Sequence, residues 1–161
     1  MILATIGTSI PFDRLLEAVG RVRTGERIVV QRGHSQWSAE GVDCVDFLSY
    51  SALVDRVRSA RVVVTHAGVG SILVCLQNGK QPVVTPRLRR YGEAVDDHQV
   101  ELGRRLHERG IVTLVEDLDL LPSVIETFAP VASDALGGRA LAVELRDYLA
   151  DRVRLRAGAH A

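Results

Sequence analysis

The chain predicts an α/β fold, a doubly wound parallel sheet, on three observations. Short apolar runs recur along it, among them Ile2-Leu3-Ala4-Thr5-Ile6, Val62-Val63-Val64 and Ile111-Val112-Thr113-Leu114-Val115. Each is a continuous run rather than an in/out alternation, the mark of a strand covered on both faces. Between the runs, apolar residues return at helical spacing, so strand and helix take turns along the chain. With 161 residues, 47% of them apolar, the chain fits one domain with a substantial core.

Taken in order, the first run stops at Gly7-Thr8-Ser9, after which Phe12, Leu15, Leu16, Val19 and Val22 recur at helical spacing. Pro11 is expected in the first turn of that helix, where its missing N–H would be unpaired anyway. Residues 27–31 read as a second strand ending at Gly33 and residues 42–48 as a third, with Leu53, Val54 and Val57 marking a short helix. The fourth strand, Val62-Val63-Val64, opens into Thr65-His66-Ala67-Gly68-Val69-Gly70-Ser71. A helix follows with Ile72, Leu73 and Leu76 as its buried face, and Gly79 signals its end. Residues 82–86 form the fifth strand and lead into a polar stretch over 87–99. Leu102 and Leu106 line the next helix, Gly110 ends it, residues 111–115 are the sixth strand, and 120–128 a short helix. Beyond Pro130 and Gly137-Gly138, Leu141, Leu145, Tyr148 and Leu149 make an apolar stripe bordered by Arg139, Arg146 and Arg152. The domain is expected over residues 1–156, with a disordered tail at 157–161.

Composition narrows the function. Lys and Arg together number 20, as do Asp and Glu, so no global charge favours nucleic acid or an anionic surface. No apolar stretch reaches the roughly 18 residues of a membrane span, and the first residues lack a basic leader, which predicts a cytoplasmic protein. Cys44 and Cys75 show neither CxxC nor Cys/His spacing and are expected as buried free thiols, with no metal site.

In such folds ligands bind beyond the carboxyl ends of the strands, where the loops at 7–9, 66–71 and 87–99 would converge. The glycines at 68 and 70 admit a ligand close to the backbone, and the helix N-terminus behind them favours an anion, so this loop is a candidate diphosphate cradle. A dinucleotide fingerprint fails because Leu73 holds the third glycine position and no acid follows Thr85-Pro86-Arg87; a P-loop fails because no lysine precedes Ser71. Structural readings stand beside the functional ones. His66 could cap a strand end, Thr8 and Ser9 could satisfy turn backbone, and Asp96 with Gln99 has the spacing of a capping box. Arg87, Arg89 and Arg90 read either as a solvated charge run or as a site for a lipid-linked phosphate or acidic partner.

Three motifs in order carry a resemblance: His66-Ala67-Gly68-Val69-Gly70-Ser71, then the stretch from Asn78 to Arg87, then Gly92-Glu93 with Asp97-His98-Gln99. Together they resemble the C-terminal domain of family 28 glycosyltransferases, over residues 1–121. The nearest likeness is to donor-binding subunits of two-subunit enzymes, the dolichol-pathway N-acetylglucosaminyltransferase and bacterial capsule and exopolysaccharide counterparts. The resemblance implies a Rossmann-like half of a GT-B glycosyltransferase, using no cofactor. It implies an inverting transfer from a UDP-sugar to a lipid-diphosphate-linked acceptor, at the inner face of the membrane. A membrane-anchored acceptor-binding subunit would complete the enzyme and supply the catalytic base. Donor-binding residues would be Gly7, Thr8, His66, Ala67, Gly68, Val69, Gly70, Ser71, Arg87, Glu93, Asp97, His98 and Gln99. Many relatives hold the ribose with a glutamate where this chain has Val74, and Glu93 is the substitute expected from the neighbouring loop. That departure keeps a rival open, a non-catalytic UDP-sugar-binding or stabilising subunit.

Overall fold

The computed structural model describes residues 1–129 and Val143. The apolar runs become six strands, β1 Ile2–Thr5, β2 Ile28–Gln31, β3 Val42–Val45, β4 Val62–His66, β5 Val83–Thr85 and β6 Thr113–Leu114. They lie in one parallel sheet in the order β3-β2-β1-β4-β5-β6. Connecting them are α1 Asp13–Gly20, α2 Tyr50–Ser59, α3 Val69–Gln77, α4 His98–Glu108 and, after β6, α5 Leu121–Thr127.

Neighbouring residues of each strand face opposite sides, and the core divides accordingly. Ile2, Ala4, Ile28, Val30, Val62 and Val64 pack with Leu15, Leu16 and Val19 of α1 and with Leu121 and Ile125 of α5. Leu3, Val29 and Val63 face the other way, onto Val57 of α2 and Cys75 of α3. Val84 joins Ile72, Leu76, Leu102 and Leu106 between α3 and α4. Every residue of β1, β2 and β5 is buried, which is why these strands read as unbroken apolar runs. The sheet is wound outward from β1 in one direction and from β4 in the other, so their carboxyl ends flank the switch point where a ligand crevice forms.

Several expected boundaries move, each for a local reason. Pro11 stands outside α1, because buried Phe12 is the N-cap with an extended φ of −142° and the helix starts at Asp13. β3 stops at Val45; the N–H of Gly33 still bonds the carbonyl of Asp46, but Ser49 then caps α2 by accepting from the N–H of Ala52. Ile111 lies in the turn that closes α4 rather than in β6, since its N–H bonds back to the carbonyl of Leu106. On α3 the inward positions are Ile72, Cys75 and Leu76, and Leu73 is only half-buried. Burial pushes the Cys75 thiol up to about 12, whereas Cys44, on the edge strand, is half-buried. Gly79 and Gly110 end α3 and α4 at φ of +73° and +68°, as expected of glycine after a helix. The stripe at Leu141, Leu145, Tyr148 and Leu149 and the expected tail at 157–161 lie outside the described residues.

Candidate functional site

The loops after β1, β4 and β5 meet at the carboxyl edge of the sheet, and the ring of His66 stands between the first two. A Cβ added at Gly7 would lie 2.9 Å from Cε1 of His66, and one at Gly68 would collide with its Nε2. Gly7 also has φ +76°, where other residues are strained. Both glycines therefore make room for an imidazole. Gly70 is different, because a Cβ there would meet nothing within 4 Å. It opens towards the first turn of α3, whose N-cap Gly68 has no side chain to satisfy the leading N–H groups. Burial, with the nearby positive charge of Arg87 adding to it, lowers the His66 pKa to about 4. The ring is neutral at pH 7 and can donate or accept one hydrogen bond, but it carries no charge for a phosphate.

A pocket of about 240 Å³ opens beside this ring, lined by Gly7, Thr8, His66, Arg87, Glu93, His98 and Gln99, with Ile10 and Val95 at its rim. The fold thus brings together seven of the expected site residues from positions far apart in the chain. The α3 loop, Gly68 to Ser71, stands next to the pocket rather than in its lining. Asp97 faces elsewhere: it borders a larger groove of about 800 Å³ with Arg14, Arg90 and Tyr91, and its Oδ1 accepts from the N–H of Arg89 at 2.9 Å.

Four of the pocket residues are engaged within the protein, Glu93 and Arg87 most fully. Glu93 is buried, and its carboxylate accepts from Nε and Nη2 of Arg14 at 2.9 and 3.0 Å and from the N–H of Leu88 at 2.9 Å. Arg87 is 5% exposed and points its guanidinium at carbonyls: Ile6 and Ile10 at 2.6 Å, Pro11 at 3.0 Å and Glu93 at 3.3 Å. Its own N–H donates to Oε1 of Gln99 at 3.1 Å. The arginine trio is therefore split, with Arg87 inside and Arg89 and Arg90 exposed. Gln99 reaches Arg87 instead of completing a capping box; only Asp96 plays a capping part, accepting from the N–H of His98 at 3.1 Å. The half-exposed ring of His98 pairs through Nδ1 with Asp96 Oδ1, which orients the imidazole at the pocket mouth.

Three features had no local signal in the chain. Arg14 lies 79 residues from Glu93, so the pair is visible only in the fold. His34 and Phe47, both exposed, meet edge to face with centroids 5.1 Å apart at the ends of β2 and β3. Thr85 pairs in register with His66, and among the described residues its Oγ1 is buried without a hydrogen-bond partner. No group of three or more His, Cys, Asp or Glu among the described residues is placed to hold a metal ion.

The glycosyltransferase family 28 C-terminal domain matches residues 14–135. The chain is 28% identical over 138 residues to the UDP-N-acetylglucosamine transferase subunit ALG13 of Yarrowia lipolytica, covering 74% of this chain and 66% of that one. It is 30% identical over 136 residues to the subunit of the same name from Eremothecium gossypii, covering 78% and 64%. The matches thus span just under two thirds of each relative's length. Among solved structures, the calicheamicin glycosyltransferase CalG4 superposes with a TM-score of 0.57 at 14% identity, over 93% of this chain and 43% of that one. MurG of Acinetobacter baumannii gives 0.57 at 19% identity, over 78% and 40%. These neighbours are GT-B glycosyltransferases, and they share the expected doubly wound, Rossmann-like fold with this chain.

Proposed function

This chain belongs to the family of glycosyltransferase family 28 C-terminal domains, and from that premise we propose that it is the donor-binding subunit of a UDP-sugar transferase. The observation that carries the reading is the open Gly70 at the N-terminus of α3, beside the switch point and next to the pocket of Gly7, Thr8, His66, His98 and Gln99. The diphosphate sits on residues 68–71, where N–H groups and the helix dipole meet negative charge. Sheet order supports one orientation for the donor. Strands lie about 4.8 Å apart, so a sugar turned towards β5 reaches His98 and Gln99, and a base turned the other way crosses β1 towards His34 and Phe47, an exposed aromatic pair suited to stacking.

The names of the relatives favour N-acetylglucosamine as the sugar and a second subunit as partner. The acceptor is a lipid-diphosphate-linked sugar, and the partner is membrane-anchored, holding this chain at the inner face. Among the described residues no helix is long and apolar enough to cross a membrane. Transfer with inversion needs a base on the sugar face opposite the leaving UDP. The one carboxylate in the pocket lining, Glu93, is held by Arg14 and Leu88, so the base comes from the partner. The same engagement removes Glu93 from the ribose. With Val74 in the glutamate's place, this favours the second reading, a non-catalytic UDP-sugar-binding or stabilising subunit.

A thermal-shift series with UDP-, GDP-, ADP- and TDP-sugars tests donor binding. A ligand at 100 times its Kd adds about 2.7 kcal/mol, roughly 5 to 10 °C for a chain of this size. Selective stabilisation by UDP-sugars is expected, and an equal response to all four would end the reading. Turnover measured with and without the membrane fraction separates the catalytic from the non-catalytic subunit.

A further inference from the structure

Arg87 was expected against the donor, yet its guanidinium is spent on the protein. Four of its bonds go to carbonyls, three of them, Ile6, Ile10 and Pro11, in the loop between β1 and α1. Among the described residues no backbone–backbone hydrogen bond reaches residues 8–11, so this fork is what fixes that stretch against the sheet. A planar guanidinium holds five donors in a rigid fork and meets four carbonyls here, whereas the ammonium of lysine has three donors and no fork. The grip is returned from the other side. Arg14, on the helix that ends the same loop, holds Glu93 of the loop that carries Arg87.

We propose that Arg87 is the positioning residue of the donor pocket: it sets where the backbone at Gly7 and Thr8 stands relative to the ring of His66 and the start of α3, and so sets donor affinity without touching the donor. The inference rests on the donor-binding reading above. It also explains a buried cation. Taking a guanidinium out of water is costly unless its donors are met, and here carbonyls meet them while the nearby Glu93 charge offsets the rest.

Arg87→Lys keeps the charge and loses the fork. In the unliganded variant the backbone 15N order parameters of residues 7–10 are expected to fall from about 0.85 to below about 0.6, with an unchanged circular-dichroism spectrum. UDP should bind about tenfold more weakly. In an assay with the membrane fraction the donor KM should rise while the acceptor KM stays constant. Ethylguanidinium, but not ethylammonium, should restore UDP binding to Arg87→Ala. If the lysine variant does not fold, Arg87→Gln, which buries no charge, carries the same relaxation and binding measurements. A folded variant with unchanged UDP affinity overturns the proposal, whatever the order of its loop. Absence of UDP binding by the unmutated chain overturns the donor reading instead, and the order parameters then decide the clasp by themselves.

Discussion

At the scale of single residues, His66 shows how a motif residue can be legible in position and illegible in role. Its place after a buried strand and before two glycines marks it as a site residue, but only the fold reveals that Gly7 and Gly68 leave room for its ring. Gly68→Ala should therefore destabilise the chain by about 1–3 kcal/mol, the usual range for overpacking. Combined with His66→Ala the penalty should shrink, a coupling that a double-mutant cycle in urea would reveal. Protonation is a second handle. The unfolded chain binds a proton at His66 below pH 6.5 and the folded chain only below about 4, so stability is intact above 6.5 and falls as pH drops through that window. The interval amounts to roughly 3 kcal/mol, and urea titrations from pH 7 to 4 should show the slope reduced in His66→Gln. Glu26, held down to about 2 chiefly by hydrogen bonds from Arg61, titrates in a lower and separable range. Thr85→Val should be neutral or stabilising by about 1 kcal/mol, because it replaces an unpartnered buried hydroxyl by a methyl group of similar shape.

At the scale of elements, apolar periodicity located the six strands and five α-helices of the described residues, because the inner strands are buried on both faces and each helix on one; the 3-10 turn at Arg89–Tyr91, which buries none of its residues, left no such signal. What periodicity could not resolve were ends, which depend on individual hydrogen bonds such as those donated by the N–H of Ala52 to Oγ of Ser49 and by the N–H of Ile111 to the carbonyl of Leu106. Nor could it resolve which polar side chains face inward. Glu93, Arg87 and Gln99 look alike in the chain to Asp97 and Arg89, and only the fold turns the first three under the pocket and the last two towards the neighbouring groove or solvent. The start of α3 separates stability from binding. At Gly70 an added side chain has open space, and a helical glycine is less favourable than most residues, so Gly70→Val should fold with equal or slightly higher Tm. The same side chain stands where phosphate oxygens approach, so UDP affinity should fall at least tenfold by calorimetry. Unchanged affinity in the folded variant would move the cradle away from α3.

At the scale of the whole molecule, six of the eight exposed large apolar residues among the described residues, Ile10, Phe47, Tyr50, Val69, Tyr91 and Val95, stand in loops after strands or at the starts of the helices that follow, and Ile10 and Val95 line the pocket itself. Water-exposed apolar and aromatic surface concentrated around a site suits a face that a second protein covers, with Tyr and Phe as anchors. That is where an acceptor-binding partner would have to stand to present a hydroxyl and a base to the donor sugar. The isolated chain is therefore expected to bind UDP and its sugars but to transfer nothing. The site residues all precede position 100, so removing residues 141–161, with their apolar stripe and arginine borders, tests the association separately from the pocket. Deletion should leave the UDP-induced thermal shift in place and abolish co-purification with the membrane-bound partner, taking transfer with it. Robust transfer to a lipid-linked acceptor by the purified full-length chain alone would refute this division of labour, since the base would then have to lie on this side of the cleft.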